Sequence, residues 1–489
     1  MQRRRFLSHS LKGALAAPPV LGLLRARAWA GSGGPGEGPP PPRGKVDVAI
    51  VGAGFAGLEA ARQLTAAGKK VVVLEARDRI GGRTSTEILP GGFHVDVGGQ
   101  WLGPTQDRAL KLVKDLGIEM FPTYNQGDSV LIDDGVRSVY SGTIPKLGIA
   151  ALLDLDSAMK KLDALALTVN MQEPWNTPDA LELDGQTAHT WLQKHCWTDA
   201  GRRMLAGGIR QLLSIEPARA SLLHVLFYIR AGVNLNTLLA VEGGAQEVRF
   251  KLGTQALANR LADSFRPSLY LGNPVRAIQQ TAMGAQVVTP QFTVQADRVI
   301  VALPPALAAR IDYSPALSAA RDQLCQSMPM GSVVKCMAIY EKPFWRSQHL
   351  TGQAVDTAGL IFATFDNSPP DARVGIMVGF AVGQQAIEML AMSVEQRRKA
   401  FLESLTRMFG AEAAQPVSYV EHAWAQEVWS RGGFVGIFPP GVWTSLGAAL
   451  WRPEGRIHWA GTETARQWCG YIEGALESGE RSAREVMSG

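Results

Sequence analysis

The sequence of 489 residues is poor in cysteine and histidine, with four of the first and eight of the second. It has no C-x-x-C pair and no histidine or cysteine group at the spacing of metal ligands. These absences argue against a zinc centre, a dithiol redox motif or a fold held by disulfides. A chain of this length can bury a large core without cross-links, so we expect four buried thiols. They are Cys196, Cys325, Cys336 and Cys469.

Positive charge is also scarce outside the first 30 residues. Those residues hold six basic side chains and no acidic one, and removing the six from the formal charge of +5 leaves a net charge of −1. A body so close to neutral lacks the positive field with which proteins bind nucleic acid or anionic membranes. The sequence has no internal repeats and no apolar C-terminal tail, so we expect no stable membrane anchor.

Residues 1–30 have the pattern of an export signal. Arginines fill positions 3–5, an apolar stretch interrupted by two prolines covers residues 11–24, and Ala28-Trp29-Ala30 has the A-x-A form of a cleavage site. Because the segment resembles a twin-arginine signal, we expect the twin-arginine machinery to be a partner and the mature protein to be periplasmic or extracellular. Residues 31–44, rich in Gly and Pro, predict a disordered linker.

A strand–helix–strand pattern opens the folded body. Val46–Val51 and Val71–Leu74 are apolar, β-branched runs, and the residues between them carry apolar side chains at helical spacing. The turn Gly52-Ala53-Gly54-Phe55-Ala56-Gly57 fits the dinucleotide fingerprint, in which the glycines allow a tight turn, close approach of a pyrophosphate and helix–strand packing. The phosphates then lie at the helix N-terminus. Glu75 ends the second strand, where it can accept hydrogen bonds from a ribose.

Later motifs decide between NAD and FAD, which the fingerprint alone does not separate. Leu74–Arg83 brings a second glycine pair and an arginine suited to pyrophosphate. In Asp96–Gln106, two adjacent glycines let the backbone approach an extended ring system. Further motifs follow in order along the chain: Glu242–Glu247, Pro274-Val275, Met330–Cys336 with Pro343-Phe344-Trp345, Trp459–Thr464 and Gly470–Ala475.

Together these motifs resemble the flavin monoamine oxidase family from about Val46 to Val486. The resemblance implies an α/β fold, with a Rossmann-like FAD-binding domain and a discontinuous α+β substrate domain. We expect the FAD-binding domain at 45–123, 242–323 and 427–489, and the substrate domain at 124–241 and 324–426. We expect the stretch 124–241 to be mainly helical.

The resemblance assigns roles to individual residues. Lys335 matches the lysine that holds a water against flavin N5 and assists the reaction with oxygen, and Tyr471 and Phe434 match the two walls of an aromatic cage that orients a neutral amine. Trp424 backs this cage. The implied cofactor-binding residues are Gly52, Gly54, Ala56, Gly57, Glu75, Arg77, Gly82, Arg83, Gly98, Gly99, Gln100, Trp101, Val275, Trp424, Gly461, Thr462, Glu463, Tyr471 and Ile472.

One departure from the family concerns the link to the cofactor. Mammalian-type members attach FAD through a cysteine shortly after a Gly-Gly pair, whereas this chain has Ser430–Gly436 without a cysteine. We therefore expect non-covalent FAD. The same region is one residue shorter than in the family, which leaves Phe434 the less certain cage wall.

The expected reaction is hydride transfer from the α carbon of a primary or secondary amine to FAD, with oxygen as final acceptor and hydrogen peroxide as product. Three other enzymatic activities remain compatible with these motifs. An L-amino-acid oxidase needs a buried arginine, for which Arg210 and Arg230 are candidates in the substrate region, and a polyamine oxidase needs acidic groups. A dehydrogenase would pass electrons to a carrier. A flavin-binding protein without amine chemistry would need neither Lys335 nor Tyr471. The sequence leaves open whether the protein forms a homodimer.

Overall fold

The computed structural model describes residues 40–142 and 145–488. The expected export signal and residues 31–39 of the expected linker lie outside the described residues. Two large sheets, each covered by helices, make up most of the described structure. The predicted α/β class is confirmed.

The first sheet has eight strands and is built around the dinucleotide motif. Val46–Val51 lies between two parallel partners, Val71–Leu74 and Thr293–Val301. Strands in such a position are covered on both faces, which is why the first two read as continuous apolar runs. The other strands of this sheet are Leu269–Tyr270, Ala277–Thr281, Gly284–Val288, Asp312–Ser314 and Ile457–Trp459.

Two long helices pack on one face of the first sheet. Phe55–Ala66 follows the glycine turn, as predicted, and Ile472–Ser488 is the last helix of the described chain. Their apolar residues share one core with the strand residues Val48 and Ile50. This packing fixes the start of both helices at the same edge of the sheet, where the carboxyl ends of Val46–Val51 and its parallel neighbours lie.

The second sheet has seven strands. Val333–Tyr340 lies between Gly375–Val382 and Ser418–Ala423, antiparallel to both, and all eight of its residues are buried. The strand that carries Lys335 is therefore an inner strand and not an edge. The other strands are Asp128–Asp133, Val136–Tyr140, Leu350–Asp356 and Ala363–Asp366.

Two of these strands fall in the stretch that we expected to be mainly helical. Asp128–Asp133 and Val136–Tyr140 form a hairpin whose turn residues, Asp134 and Gly135, have φ of 51° and 77°. An Asp-Gly pair with positive φ at both positions is a common two-residue hairpin turn, so the sequence did carry this signal. After it the stretch is helical as expected, with Ile149–Leu167, Ala180–Gly185, Ala188–His195, Asp199–Leu213, Leu222–Ala231 and Leu235–Leu239.

Smaller elements complete the fold. Two short sheets pair Thr86–Leu89 with Phe93–Asp96, and Val248–Phe250 with Trp101–Leu102 and Met120–Pro122. The remaining helices are Asp107–Asp115, Thr254–Ala262, Pro305–Ala308, Ala319–Ser327, Phe344–Ser347, Gln384–Leu390, Val394–Phe409 and Val442–Leu446. All four cysteines are buried free thiols, as expected. Across the described ranges, no helix combines the length and the apolar character needed to cross a membrane.

The strands of the first sheet come from residues 46–74, 269–314 and 457–459, and those of the second from 128–140 and 333–423. Each sheet is therefore assembled from segments far apart in sequence. The expected domain boundaries themselves stay predictions.

Candidate active site

Each of the three glycines of the fingerprint is needed for a different structural reason. Gly52 has φ of +100°, and a Cβ built on it would lie 2.9 Å from the carbonyl oxygen of Ala302. A Cβ on Gly57 would lie only 2.0 Å from the carbonyl oxygen of Gly52, so helix and turn pack backbone to backbone there. A Cβ on Gly54 would meet nothing closer than the Cα of Gly82, at 3.8 Å. Gly54 thus leaves open space in front of the helix.

That space faces an uncapped helix N-terminus. Gly54 is the N-cap of Phe55–Ala66 and offers no side chain to the helix, and the first turn contains no acidic residue. The N–H groups of Phe55, Ala56 and Gly57 precede the first helical hydrogen bond, which Leu58 donates to Gly54. Free N–H groups and the helix dipole together favour an anion at this point.

Glu75 is buried at the end of the second strand and holds the turn in place. Its carboxylate accepts hydrogen bonds from the backbone N–H groups of Ala53, at 2.8 Å, and Arg77, at 2.9 Å. The Arg77 guanidinium forms an ion pair with the Glu75 carboxylate at 3.6 Å and also bonds to Glu427 and to Ser430 Oγ, the last at 2.8 Å. Each carboxylate oxygen has a second lone pair, so Glu75 can still accept from a ribose hydroxyl.

Arg83 joins the second glycine pair to the end of the chain. It donates two hydrogen bonds to the Glu463 carboxylate, at 2.6 and 3.0 Å, and one to the carbonyl oxygen of Phe434, at 2.8 Å. Glu463 also accepts from the N–H of Gly436 at 3.1 Å. Glu463 lies behind the cleft surface, where it fixes Arg83 and the loop that carries Phe434.

Gly98 and Gly99 differ in what they allow. A Cβ on Gly98 would lie 2.3 Å from the carbonyl oxygen of Arg83, whereas one on Gly99 would meet only the Thr84 methyl, at 3.6 Å. Gly98 is therefore required by packing within the protein. The indole N–H of Trp424 donates to the carbonyl oxygen of Val97 at 2.8 Å, which fixes the ring beside this segment.

Lys335 is 2% exposed and reaches this segment from the second sheet. Its Nζ donates to the carbonyl oxygens of Asp96, at 2.6 Å, and Gly98, at 2.9 Å, and to Oε1 of Gln100. Burial lowers the pKa of Lys335 to about 7, partly offset by the Asp96 carboxylate. An amine with a pKa this close to neutral changes its charge readily, as functional lysines often do.

Phe434 and Tyr471 contact different aromatic neighbours. Phe434 lies 5.9 Å from the Phe380 ring, and Tyr471 lies 6.2 Å from Tyr228 and 4.9 Å from Trp468. Burial raises the pKa of Tyr471 well above its usual range, so its hydroxyl stays neutral. Both rings line the same cleft.

One cleft collects most of the predicted residues, and its empty space, open parts included, is about 1700 Å³. Its wall extends from the glycine turn and Glu75 to the aromatic rings of Phe434 and Tyr471, so one cleft joins the expected cofactor site to the expected substrate site. The predicted residues along its wall are Gly52, Gly54, Ala56, Glu75, Arg77, Gly82, Arg83, Gly98, Gly99, Gln100, Trp101, Lys335, Trp424, Phe434, Gly461, Thr462, Tyr471 and Ile472.

Three predicted residues lie off the wall of the cleft. Gly57 and Glu463 lie behind it, in the packing roles described above. Val275 packs into the core on the other face of the first sheet. Its neighbour Asn273 does bond through its N–H to the backbone of Glu75, at 2.8 Å, so this segment borders the site without Val275 lining it.

Other residues that line the cleft were not predicted from the sequence, and most of them come from the helical stretch and the second sheet. They include Gln211, Tyr228, Leu238, Leu239, Gln246, Phe365, Phe380 and Trp429. Gln246 belongs to a motif that we singled out, Glu242–Glu247. Trp429 lies in a turn, and the others lie in helices and strands whose periodicity shows burial but not which face meets a cleft.

The cleft fits a flavin dinucleotide. It offers an uncapped helix N-terminus to the pyrophosphate, a carboxylate to a ribose and an apolar, aromatic far end to a ring system. Three buried polar atoms on its wall have no hydrogen-bond partner in the described part of the chain: Trp101 Nε1, Gln211 Oε1 and Gln246 Oε1. Fold and site thus define a flavoprotein oxidoreductase.

Comparison with known proteins specifies the family. Residues 55–487 match the family described as flavin containing amine oxidoreductase. AofH of Mycobacterium tuberculosis, assigned as a flavin-containing monoamine oxidase, is 40% identical over 443 residues, which cover 91% of this chain and 97% of AofH. An L-amino acid dehydrogenase of Synechocystis is 39% identical over 455 residues, covering 90% and 94%.

A solved structure agrees with the sequence comparison. Putrescine oxidase bound to putrescine superposes with a TM-score of 0.88 at 32% identity, covering 91% of this chain and 99% of that one. The chain therefore belongs to the flavin-containing amine oxidoreductase family and has its monoamine oxidase-like fold. It is an oxidoreductase that acts on amines and uses FAD, as predicted.

Proposed function

We propose that this enzyme oxidises uncharged primary or secondary monoamines, holds its FAD without a covalent bond and passes the electrons to oxygen. The observation that carries the substrate class is the charge of the cleft wall. Among the described residues that line the cleft, only Glu75, Arg77, Arg83 and Lys335 are charged. Each of them already has protein partners.

This wall favours a neutral amine. Glu75 is bonded to two backbone N–H groups beside the glycine turn, and neither cleft arginine lacks a carboxylate partner. An ammonium or carboxylate entering the apolar end of the cleft would lose its hydration without gaining an ion pair, at a cost of several kcal/mol. The aromatic faces of Phe434 and Tyr471 orient an uncharged nitrogen without protonating it.

The family supplies the redox chemistry through FAD, which accepts the hydride from the amine's α carbon when bound. The protein residues position the reactants and exclude water. Thr462 Oγ1 donates to the carbonyl oxygen of Tyr471 at 3.0 Å and accepts from the N–H of Gly470 at 2.7 Å, which fixes the backbone of this cage wall. On the opposite sheet, Lys335 carries the proton whose charge assists the oxygen step.

The amino-acid alternative has a relative in its favour, the L-amino acid dehydrogenase of Synechocystis. Its expected arginine is not found along the cleft. Arg210 bonds to Glu216 at 3.1 Å, Arg230 is exposed, and neither lines the cleft within the described chain. The diamine alternative likewise lacks an unoccupied carboxylate on the described wall.

Matched substrate pairs test this assignment. Phenethylamine and L-phenylalanine differ by one carboxylate, and butylamine and putrescine by one amine. We expect kcat/KM, measured from peroxide production, to be at least about tenfold higher for phenethylamine and butylamine, because a buried unpaired charge costs more than the 1.4 kcal/mol that tenfold represents. A preference for L-phenylalanine or for putrescine would contradict the proposal.

Non-covalent FAD is supported by the chemistry of the wall. No cysteine or histidine lines the cleft within the described residues. Ser430 and Gly433 line it in the region where family members with covalently attached FAD have their cysteine. Acid precipitation should release all of the flavin into the supernatant. Flavin that stays with the precipitated protein would contradict this part of the proposal.

Export by the twin-arginine route is supported by residues 1–30 alone, so it needs its own test. In the native host, we expect the intact chain to reach the exported fraction and the double variant Arg3→Lys with Arg4→Lys to remain in the cytoplasm. Equal distribution of the two forms would argue against this route.

A further inference from the structure

Gln100 bridges the flavin-facing segment and the second sheet. Its side chain is 1% exposed, its Oε1 accepts a hydrogen bond from Lys335 Nζ, and its Nε2 donates to Oδ1 of Asn367 at 2.5 Å. Asn367 is itself anchored, because its backbone N–H bonds to Ile376 at 2.7 Å and its carbonyl accepts from Arg249 at 2.9 Å. Both the oxygen and the nitrogen of the Gln100 amide are thus hydrogen-bonded.

The direction of the Gln100 amide follows from Asn367. The Oδ1 of Asn367 accepts only from a donor, so the nitrogen of Gln100 faces Asn367 and the oxygen faces Lys335. A lysine ammonium has three donor hydrogens, and Nζ has three acceptors here: Asp96 O, Gly98 O and Gln100 Oε1. Gln100 supplies the one acceptor that comes from a side chain.

The surrounding charges do not replace this contact. Within the described residues no carboxylate oxygen pairs directly with Lys335 Nζ, and Oδ1 of Asp96 accepts from Thr86 Oγ1 and from the N–H of Thr254. Arg249 opposes the positive charge of the lysine. The cross-strand neighbour His422 is neutral, since burial lowers its pKa to about 4.

The aromatic rings give weaker support to the cation. The centroids of Trp101 and Phe380 lie 5.7 and 5.6 Å from Lys335 Nζ. Contacts at this distance contribute less than a hydrogen bond to a charged group. The nearby Asp96 carboxylate and the three hydrogen-bond acceptors, Gln100 among them, therefore carry most of the stabilisation of the ammonium form.

We propose that Gln100 is a positioning residue whose amide oxygen, oriented by Asn367, keeps Lys335 in its ammonium form and holds Nζ against the Asp96 and Gly98 carbonyls. The inference deepens the proposed function, because Lys335 is the residue to which the oxygen step is assigned. Gln100 thereby acts on the reaction through Lys335.

Substitutions at Gln100 separate this role from simple packing. Gln100→Met keeps the length of the side chain and removes the acceptor, so the titration midpoint of Lys335 should fall by about one to two pH units. Gln100→Glu restores an acceptor and adds negative charge, so the midpoint should rise above that of the natural protein. Asn367→Leu frees the amide of Gln100 and should lower the midpoint by a smaller amount.

A matched control lies in the same segment. Gln106 is buried, and neither polar atom of its side chain has a hydrogen-bond partner among the residues that the structure describes. Gln106→Met should therefore leave the midpoint of Lys335 in place, although it removes the same groups.

The experiment is an NMR titration of FAD-loaded enzyme labelled with ¹³C at lysine Cε, in which Lys335→Met identifies the signal. It needs neither amine nor oxygen, so its result is independent of the proposed substrate and acceptor. Opposite shifts in Gln100→Met and Gln100→Glu support the inference. Midpoints that do not move, or that move alike in both variants, overturn it. If Gln100→Met does not fold, Gln100→Glu and Asn367→Leu decide the question by the same criterion.

Discussion

Two alanine substitutions in the glycine turn should have opposite consequences. Gly54 has φ of −74° and ψ of 174°, which alanine adopts freely, and its added Cβ would meet no protein atom closer than 3.8 Å. Gly54→Ala should therefore cost the apoprotein only about 0.5–1 kcal/mol, from the poorer N-cap. Gly57→Ala puts Cβ 2.0 Å from the Gly52 carbonyl oxygen and forces the backbone apart. Overpacking of this kind costs about 1–3 kcal/mol or more.

The affinity for FAD should fall in Gly54→Ala, although the apoprotein of this variant stays nearly as stable as the natural one. The Gly54→Ala methyl group occupies the space in front of the free N–H groups of the helix, where the pyrophosphate is expected. Losing one charge-assisted hydrogen bond there, worth about 1.5–3 kcal/mol, weakens FAD binding roughly 10- to 150-fold.

Urea unfolding of the apoproteins and titration with FAD would measure both quantities. Gly54→Ala should give a nearly normal apoprotein with weak FAD binding, and Gly57→Ala an unstable apoprotein. Unchanged FAD affinity in Gly54→Ala would refute the placement of the pyrophosphate. Equal apoprotein stability in the two variants would refute the packing argument for Gly57.

Three further expectations follow from the site. The rate of flavin reoxidation by oxygen, measured by stopped flow, should fall as the pH rises through about 7, where Lys335 loses its proton. The Lys335→Met variant should react about 100-fold more slowly at pH 6 and should lack this pH dependence. Glu463→Gln leaves Arg83 without its carboxylate, so chemical denaturation should show a loss of about 2–4 kcal/mol, whereas an unchanged midpoint would contradict the pairing. The kcat/KM for a monoamine should rise with pH up to the pKa of the free amine, and a flat profile would mean that the ammonium form binds.

The first strand–helix–strand unit could be read from the sequence because its signals are local. Val46–Val51, Phe55–Ala66 and Val71–Leu74 all lie where the apolar runs and glycines place them. The hairpin at 128–140 carried an equally local signal, the Asp-Gly turn, which the helical character of the following residues outweighed.

Long-range contacts could not be read in the same way. Glu75 was expected to face a ribose, and its bonds to the N–H groups of Ala53 and Arg77 depend on the three-dimensional path of the turn. Gln100 and Asn367 are separated by 267 positions, and no periodicity relates them. The family resemblance located Lys335, but only the sheet order shows that it lies on an inner strand with no solvent to share its charge.

Anaerobic mixing with an amine shows whether the bound flavin takes electrons from this class of substrate. Purified enzyme with bound FAD is mixed with phenethylamine in the absence of oxygen, and the flavin absorbance is followed. If the enzyme oxidises amines, the oxidised flavin spectrum bleaches at a rate that saturates with amine concentration, and admitting air restores it with formation of peroxide. A flavin that phenethylamine and butylamine leave oxidised, while the protein remains folded and loaded with FAD, would show that the enzyme does not oxidise monoamines.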